Sequence, residues 1–392
     1  MPDYKYLLYE TLDSGKVARI MLNRPDARNA QNRGLLVELN DAFLHAEEDY
    51  ARERIELRVN TRVTGGSLRE RHLDLADGSH VKFDTLVLGL GGTPRRLPNL
   101  PGVENLRTLR SLRDSQGLRE AIGAAGRVVV VGAGFIGAEV AASARQLGKD
   151  VLMIETAPVP LQRALGSEVG EIYAGIHRRH GVDVRTGTTV ASWHVEGDRV
   201  AGATLADGSR EAFDLALIAV GIEPNLDLPR ALGLTLDGGG VRVDEALRAT
   251  EHVYVGGDVA FHHHPVLDRA IRVEHWEVAK GQGRGIAASI AGGGVRYTKL
   301  PYFWSDQYDV NLEYRGQASG EDVGVWRGDR EALRFTVFYL RNGIVEGVLS
   351  MNDSKTNELG GKLIESRRKV DTAALGDSSI ELEDLVPTGQ AG

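Results

Sequence analysis

Three glycines, Gly132, Gly134 and Gly137, carry the clearest chemistry in the chain, within RVVVVGAGFIGAEVAASARQLGKDVLMIE. The four valines before them read as a buried parallel strand, and the G-x-G-x-x-G spacing, with Phe135 and Ile136 inside it, opens a helix. The first glycine permits a tight turn, the second lets a pyrophosphate reach the backbone, and the third lets helix and strand pack closely. Backbone amides at the positive end of the helix then hold the diphosphate. Glu155 closes the next strand, 18 residues beyond Gly137, where a carboxylate accepts hydrogen bonds from ribose hydroxyls. That carboxylate repels a 2′-phosphate, and no Arg or Lys stands between Glu155 and Gln162 to attract one. The spacing therefore predicts NADH rather than NADPH.

Stepping outward, the elements alternate. VARIML at 17–22 reads as a strand, and Leu35 to Ala46 has helical spacing. Short strands follow at IELRV, TRVTGG and RHLDLADGSHVKF, with Asp77-Gly78 as a hairpin turn, and then an apolar run from Thr85 to Leu90. A helix is predicted over 112–126, hairpin strands at ASWHV, RVAGATL and AFDLALIAV, and a helix from Val278 to Ile290. The last part mixes the strands ALRFTVFYL and GIVEGVLSM with a helix at Thr356 to Arg367. Alternating β and α units indicate an α/β architecture. His262, His263 and His264 invite a metal reading, but adjacent residues on extended chain point to opposite faces. They are read as a loop, and no metal site is expected.

In 392 residues, 47 Lys and Arg against 55 Asp and Glu leave a net charge of −8, which argues against nucleic-acid binding. The absence of cysteine removes disulfides, a thiolate nucleophile and an iron–sulfur cluster held by this chain. No run approaches the ~18 apolar residues of a membrane helix, and the start lacks a secretory pattern. A cytoplasmic protein without membrane contact is expected, its oligomeric state open.

From about residue 52 onward the chain resembles the FAD-dependent NADH:ferredoxin reductases that serve oxygenases and cytochromes P450. Four stretches carry the likeness: DTLVLGLGGTPRRLP, HVYVGGDVA, IRVEHWEVAKGQG and PYFWSDQYDVNLEYRG. The resemblance implies a glutathione-reductase-like architecture with two dinucleotide-binding domains and an α+β C-terminal domain. It implies that Gly257 and Asp258 bind the ribitol–pyrophosphate part of FAD, and that Glu274, His275 and Trp276 stand at the flavin. Gly221 joins the cofactor-binding set, Trp304 lies beside the flavin ring, and Glu139 stands near the nicotinamide–flavin contact as a catalytic group. The implied cofactors are FAD and NADH, and the implied partner is a ferredoxin-type iron–sulfur protein. Arg269, Arg272 and Arg315 are candidates for docking it. A flavin takes a hydride's two electrons together and releases them singly, as such a pair requires.

The family's first G-x-G-x-x-G, which cradles the FAD diphosphate, has no counterpart before Arg52, and Leu90 replaces a usual Thr. Instead, residues 9–49 resemble the N-terminus of a crotonase (enoyl-CoA hydratase/isomerase), through Asn23, Arg24, Pro25, Asn29 and Ala30. The expected division is a crotonase-like segment at 1–49, a truncated FAD domain at 50–114 and 246–298, an NAD domain at 115–245, and a C-terminal domain at 299–392. The sequence leaves two alternatives: a flavin-deficient NAD-binding remnant without turnover, and a CoA-thioester-binding crotonase-like protein. The missing oxyanion loop opposes the latter.

Overall fold

The computed structural model describes residues 55–98, 100–319 and 322–386, with the backbone of two strands, Leu7–Leu12 and Val17–Leu22. Asn23, Arg24, Pro25, Asn29, Ala30 and the predicted helix at 35–46 lie outside the described residues. Two compact units emerge, one of residues up to 65 with 72–81, the other of 66–71 with 82–392.

In the smaller unit, Leu7–Leu12 pairs antiparallel with Val17–Leu22, Leu7 opposite Leu22. The predicted hairpin is present: His72–Leu75 and the strand beginning at His80 flank a turn in which Gly78 takes φ +85°. IELRV is not a strand. Ile55, Leu57 and Val59 are 52%, 50% and 65% exposed, so the alternation that suggested a half-buried strand has no core to face.

The larger unit is built around a five-stranded parallel sheet whose centre is Arg127–Val131. Asp150–Glu155 and Leu215–Ile218 flank it, and Asp183–Thr186 and Leu106–Arg107 form the edges. Val128 to Val131 are at most 4% exposed, as strands covered on both faces require. The helix Phe135–Gln146 packs Val140 and the small residues Ala141 and Ala144 against this sheet. A three-stranded antiparallel sheet over 190–212 covers the other side, with Leu205 and Phe213 in the same core as Val129 and Ile154.

A second, smaller sheet joins Leu86–Leu88 parallel to Val253–Val255, which in turn pairs with Arg248–Thr250. It ends at Leu86–Leu88: among the described residues no strand pairs with its far side, and Val87 is 49% exposed. The helix Trp276–Ala288 begins two residues earlier than expected. The C-terminal portion is a five-stranded antiparallel sheet from Tyr302 to Met351, backed by the helix Ser354–Ser366. Among the described residues no helix is long and apolar enough to cross a membrane.

The histidine run corrects the loop reading. Ala260–His264 is a strand, parallel to Gly240–Val243 and antiparallel to Arg269–Ile271. The period of two turns His262 and His264 inward, 2% and 0% exposed, while His263 faces solvent.

Candidate functional site: a two-lobed nucleotide cavity

One cavity of about 1280 Å³ dominates the larger unit. It exceeds the ~300–1,000 Å³ of ordinary small-ligand pockets, so there is room for more than one compact ligand. One lobe is lined by the glycine loop, Glu155, Thr156, Thr188 and Gly221; the other by Val87, Gly91, Arg110, Gly257, Asp258, Glu274, His275, Trp276 and Trp304.

The three glycines divide their work as the spacing predicts. Gly132 takes φ +100°, and a Cβ there would lie 2.4 Å from the Ala219 carbonyl oxygen. A Cβ on Gly137 would lie 1.9 Å from the Gly132 carbonyl oxygen, so only glycine lets helix and strand approach this closely. Gly134 differs: a Cβ there meets nothing within 4 Å, because this position faces open cavity. It is the N-cap of Phe135–Gln146 and offers no side-chain cap, so amides of the first turn are left for a ligand. The loop thus fits a dinucleotide diphosphate by shape and by its donors.

Glu155 is fixed beside that loop. Its Oε2 accepts from the Ala133 amide at 2.6 Å, and its Oε1 accepts from the Ala157 amide at 2.9 Å and the Thr156 hydroxyl at 3.0 Å. The parallel pairing of Asp150–Glu155 with the valine strand sets this position. Arg163, directly after Gln162, also lines the cavity.

In the other lobe Asp258 sits in a single-turn 3₁₀ helix, Gly257–Val259. Arg110 Nη2 donates to Asp258 Oδ2 at 3.2 Å, and Arg110 Nε to the Gly92 carbonyl at 2.8 Å. Burial pushes the Asp258 carboxyl above its ordinary value, and the Arg110 charge opposes the rise. Gln282 accepts from the Gly257 amide at 2.7 Å, anchoring the turn to the Trp276–Ala288 helix. Trp276 and Trp304 meet edge-to-face, centroids 6.1 Å apart, and are 63% and 44% exposed. Behind them His275 stacks on Phe303 at 4.3 Å, and burial lowers its pKa to about 4, which keeps the ring neutral. Open space bounded by Asp258, Gly257 and two exposed indoles suits the ring and ribitol end of a flavin.

Gly132, Gly134, Phe135, Ile136, Glu155, Gly221, Gly257, Asp258, Glu274, His275, Trp276 and Trp304 all line the cavity. Gly137 stands behind the wall as a packing residue. Glu139 is absent from the lining, and its Oε1 accepts from Ser305 Oγ at 2.7 Å. Burial raises its carboxyl above the ordinary value, with the Ser305 bond acting against that rise. Gln307 continues the chain, donating to Ser305 Oγ at 3.1 Å while its Oε1 meets His177 Nε2 at 2.9 Å.

The three arginines expected to dock a partner make contacts within the fold. Arg269 is turned inward, its side chain 21% exposed and 3.9 Å from the Glu346 carboxylate. Arg272 is 19% exposed and donates to the Asp258 carbonyl and to Glu274 Oε1, at 2.9 and 2.6 Å. Arg315 lies 4.3 Å over the Tyr302 ring. Arg272 is thus hydrogen-bonded within the fold, while Arg269 Nε and Nη2 and Arg315 Nε are buried without a hydrogen-bond partner among the described residues. Sequence reasoning missed Arg110, whose one local signal is the capping box that follows it: Asp114 accepts from the Arg110 and Ser111 amides at 3.1 and 2.8 Å.

Comparison with known proteins places this geometry. Residues 9–283 match the model of the pyridine nucleotide-disulphide oxidoreductase family, and residues 302–386 match a reductase C-terminal domain. Putidaredoxin reductase CamA of Pseudomonas putida is 35% identical over 356 residues, covering 89% of this chain and 84% of that one. Rhodocoxin reductase of Rhodococcus erythropolis is 31% identical, covering 88% and 84%. The covalent putidaredoxin reductase–putidaredoxin complex superimposes with a TM-score of 0.83 at 35% identity, covering 86% of this chain and 83% of that one. A ferredoxin reductase of the CYP199A2 system from Rhodopseudomonas palustris gives 0.82 at 32% identity, covering 87% and 84%. This chain thus belongs to the pyridine nucleotide-disulphide oxidoreductase family, in its ferredoxin reductase branch.

Proposed function

We propose that this protein is an NADH-dependent flavoprotein reductase that passes electrons to a ferredoxin-type iron–sulfur protein serving an oxygenase or P450. The observation that carries this reading is the single cavity, with a diphosphate loop in one lobe and Asp258, Trp276 and Trp304 in the other. FAD, when bound, supplies the conversion of a two-electron hydride donor into single electrons. The chain's own part is to bind and orient. Gly134 and the amides of its helix hold the NADH diphosphate, and Glu155 receives the ribose hydroxyls. Asp258, held by Arg110, would take the ribitol–pyrophosphate end of the flavin, and Trp276 and Trp304 would stand at its ring. Glu139 acts behind the wall as a positioning residue, fixing Ser305 one residue from Trp304.

The proposed division assigns 115–245 to NAD, 50–114 with 246–298 to FAD, and 299–392 to the reductase C-terminal domain. A cytoplasmic location accords with the absence of cysteine and of a membrane-length helix among the described residues. The crotonase-like reading of 9–49 rests on its sequence alone, and the family match beginning at residue 9 competes with it.

A second reading, a flavin-deficient NAD-binding remnant, is favoured by one observation. Among the described residues the small sheet ends at Leu86–Leu88, and Val87 lines the cavity half-exposed. Purification without added flavin, followed by absorbance and NADH-dependent reduction of a dye and then of a ferredoxin, separates the two. Bound flavin with turnover supports the reductase. A colourless protein that binds NADH and stays inert with added FAD overturns it.

A further inference from the structure

Outside the cavity, the hairpin of the smaller unit brings together three ligating side chains that the reductase reading does not use. His72 and Asp74 are two apart on His72–Leu75 and so share a face of the strand. The Leu75 amide donates to the Ser79 carbonyl at 2.9 Å, which sets Asp74 opposite His80 across the turn. Asp77 Oδ1 accepts from the Ser79 amide and hydroxyl at 2.9 and 2.7 Å, fixing that turn. Asp74 Oδ1 lies 2.7 Å from His80 Nδ1 and 3.4 Å from His72 Nε2. One ligand atom from each of the three residues falls within 4.8 Å of the others. The imidazoles stand edge-on, 5.6 Å apart at 80°, rather than stacked.

The geometry points to a divalent transition-metal site formed by His72, Asp74 and His80, of the zinc, cobalt or nickel class. Bonds of about 2.0–2.2 Å to nitrogen and oxygen in a tetrahedron place ligand atoms roughly 3.4 Å apart. The His72–Asp74 separation already has that value. The His80 side chain, 63% exposed, has the freedom to open its shorter contact by a few tenths of an ångström. Two imidazoles with one carboxylate select borderline ions over magnesium or calcium, which prefer all-oxygen shells. Three protein ligands on an exposed face leave a fourth position to water. An ion there ties the two strands of the hairpin together, a structural role independent of electron transfer.

The test uses the full chain, stripped with chelator and titrated with Zn²⁺ by calorimetry, with Co²⁺ absorption as a second readout. The expected result is about one equivalent bound in the micromolar range or tighter. His72→Ala and His80→Ala each weaken binding about tenfold or more. His263→Ala, altering an exposed histidine on the Ala260–His264 strand, leaves it unchanged. Circular dichroism of metal-free variants confirms that the fold is retained. Failure to saturate, or binding that survives the His72→Ala/His80→Ala double variant, overturns the site and leaves the three residues as a hydrogen-bonded surface pair and neighbour. Neither outcome touches the reductase reading.

Discussion

Two glycines of one loop are expected to fail in opposite ways when given the same methyl group. At Gly137 the new Cβ would sit 1.9 Å from the Gly132 carbonyl oxygen and 3.1 Å from Val130 Cγ1. Both neighbours belong to the central strand or its end, which cannot yield without disturbing the sheet. Overpacking of that kind costs about 1–3 kcal/mol. At Gly134 the Cβ meets no atom within 4 Å, and φ −72°, ψ −175° is open to any residue. There, losing a good N-cap for alanine costs about 0.5–1 kcal/mol. The reduced freedom of the unfolded chain returns about 0.4–1 kcal/mol. The net change at Gly134 is therefore close to zero.

Gly134→Ala should accordingly unfold in urea near the wild-type midpoint yet bind NADH about tenfold or more weakly, since the methyl occupies the space the diphosphate needs. Gly137→Ala should lose stability first, with any binding defect following from that loss. Chemical denaturation paired with fluorescence titration by NADH measures both quantities on each protein. Wild-type NADH affinity in Gly134→Ala would refute the assignment of the diphosphate to this loop, whatever happened to activity.

Four further outcomes follow from the same geometry. Glu155→Gln removes the charge and replaces one acceptor that faces a backbone amide by a donor, and should weaken NADH severalfold while narrowing its advantage over NADPH, measured as the ratio of the two kcat/KM values. Arg110→Gln strips Asp258 of its cation, and should lower the flavin-to-protein ratio after gel filtration more than it lowers NADH affinity. Trp304→Ala opens the flavin lobe and should reduce turnover with ferredoxin while leaving NADH binding unchanged. His177 and His262 are buried, and burial lowers each pKa from 6.5 to about 4. Between those values the unfolded chain binds more protons, so stability is complete above pH 6.5 and falls as pH drops toward 4, by roughly 3 kcal/mol at most for each group. Among the described residues His262 has no hydrogen-bond partner at either ring nitrogen, so His262→Leu should flatten this slope in urea melts run from pH 4.5 to 7.5; an unchanged slope would assign it to carboxylates instead.

The glycine loop was legible because its constraints are local. A strand of valines, a turn that only glycine enters and a helix start lie within a dozen residues, and Glu155 follows at a distance fixed by one helix and one strand. The partners of these residues were not legible. Arg110 meets Asp258 across 148 positions, and Ser305 meets Glu139 across 166. Glu139 shows the difference well: its helix was readable, but the face that received it belongs to the C-terminal sheet, which no local pattern announces. The histidine run failed for another reason. A strand rich in imidazole reads as polar, and only the neighbouring Gly240–Val243 and Arg269–Ile271 strands reveal that two of its three rings are buried.

The two lobes do not depend equally on the family's missing first flavin motif. The NADH lobe hangs on the five-stranded sheet, whose two faces bury separate clusters drawn from residues between Leu97 and Val220. Nothing in that core needs the flavin sheet. The flavin lobe hangs on a sheet with three short strands among the described residues and a half-exposed Val87, with Asp258 and its tryptophans lining the same cavity. Loss of flavin should therefore leave NADH binding almost intact, and saturable NADH binding alone cannot distinguish a working reductase from a remnant. The flavin content of the folded protein can, because it reports on the one sheet whose completeness the two readings dispute.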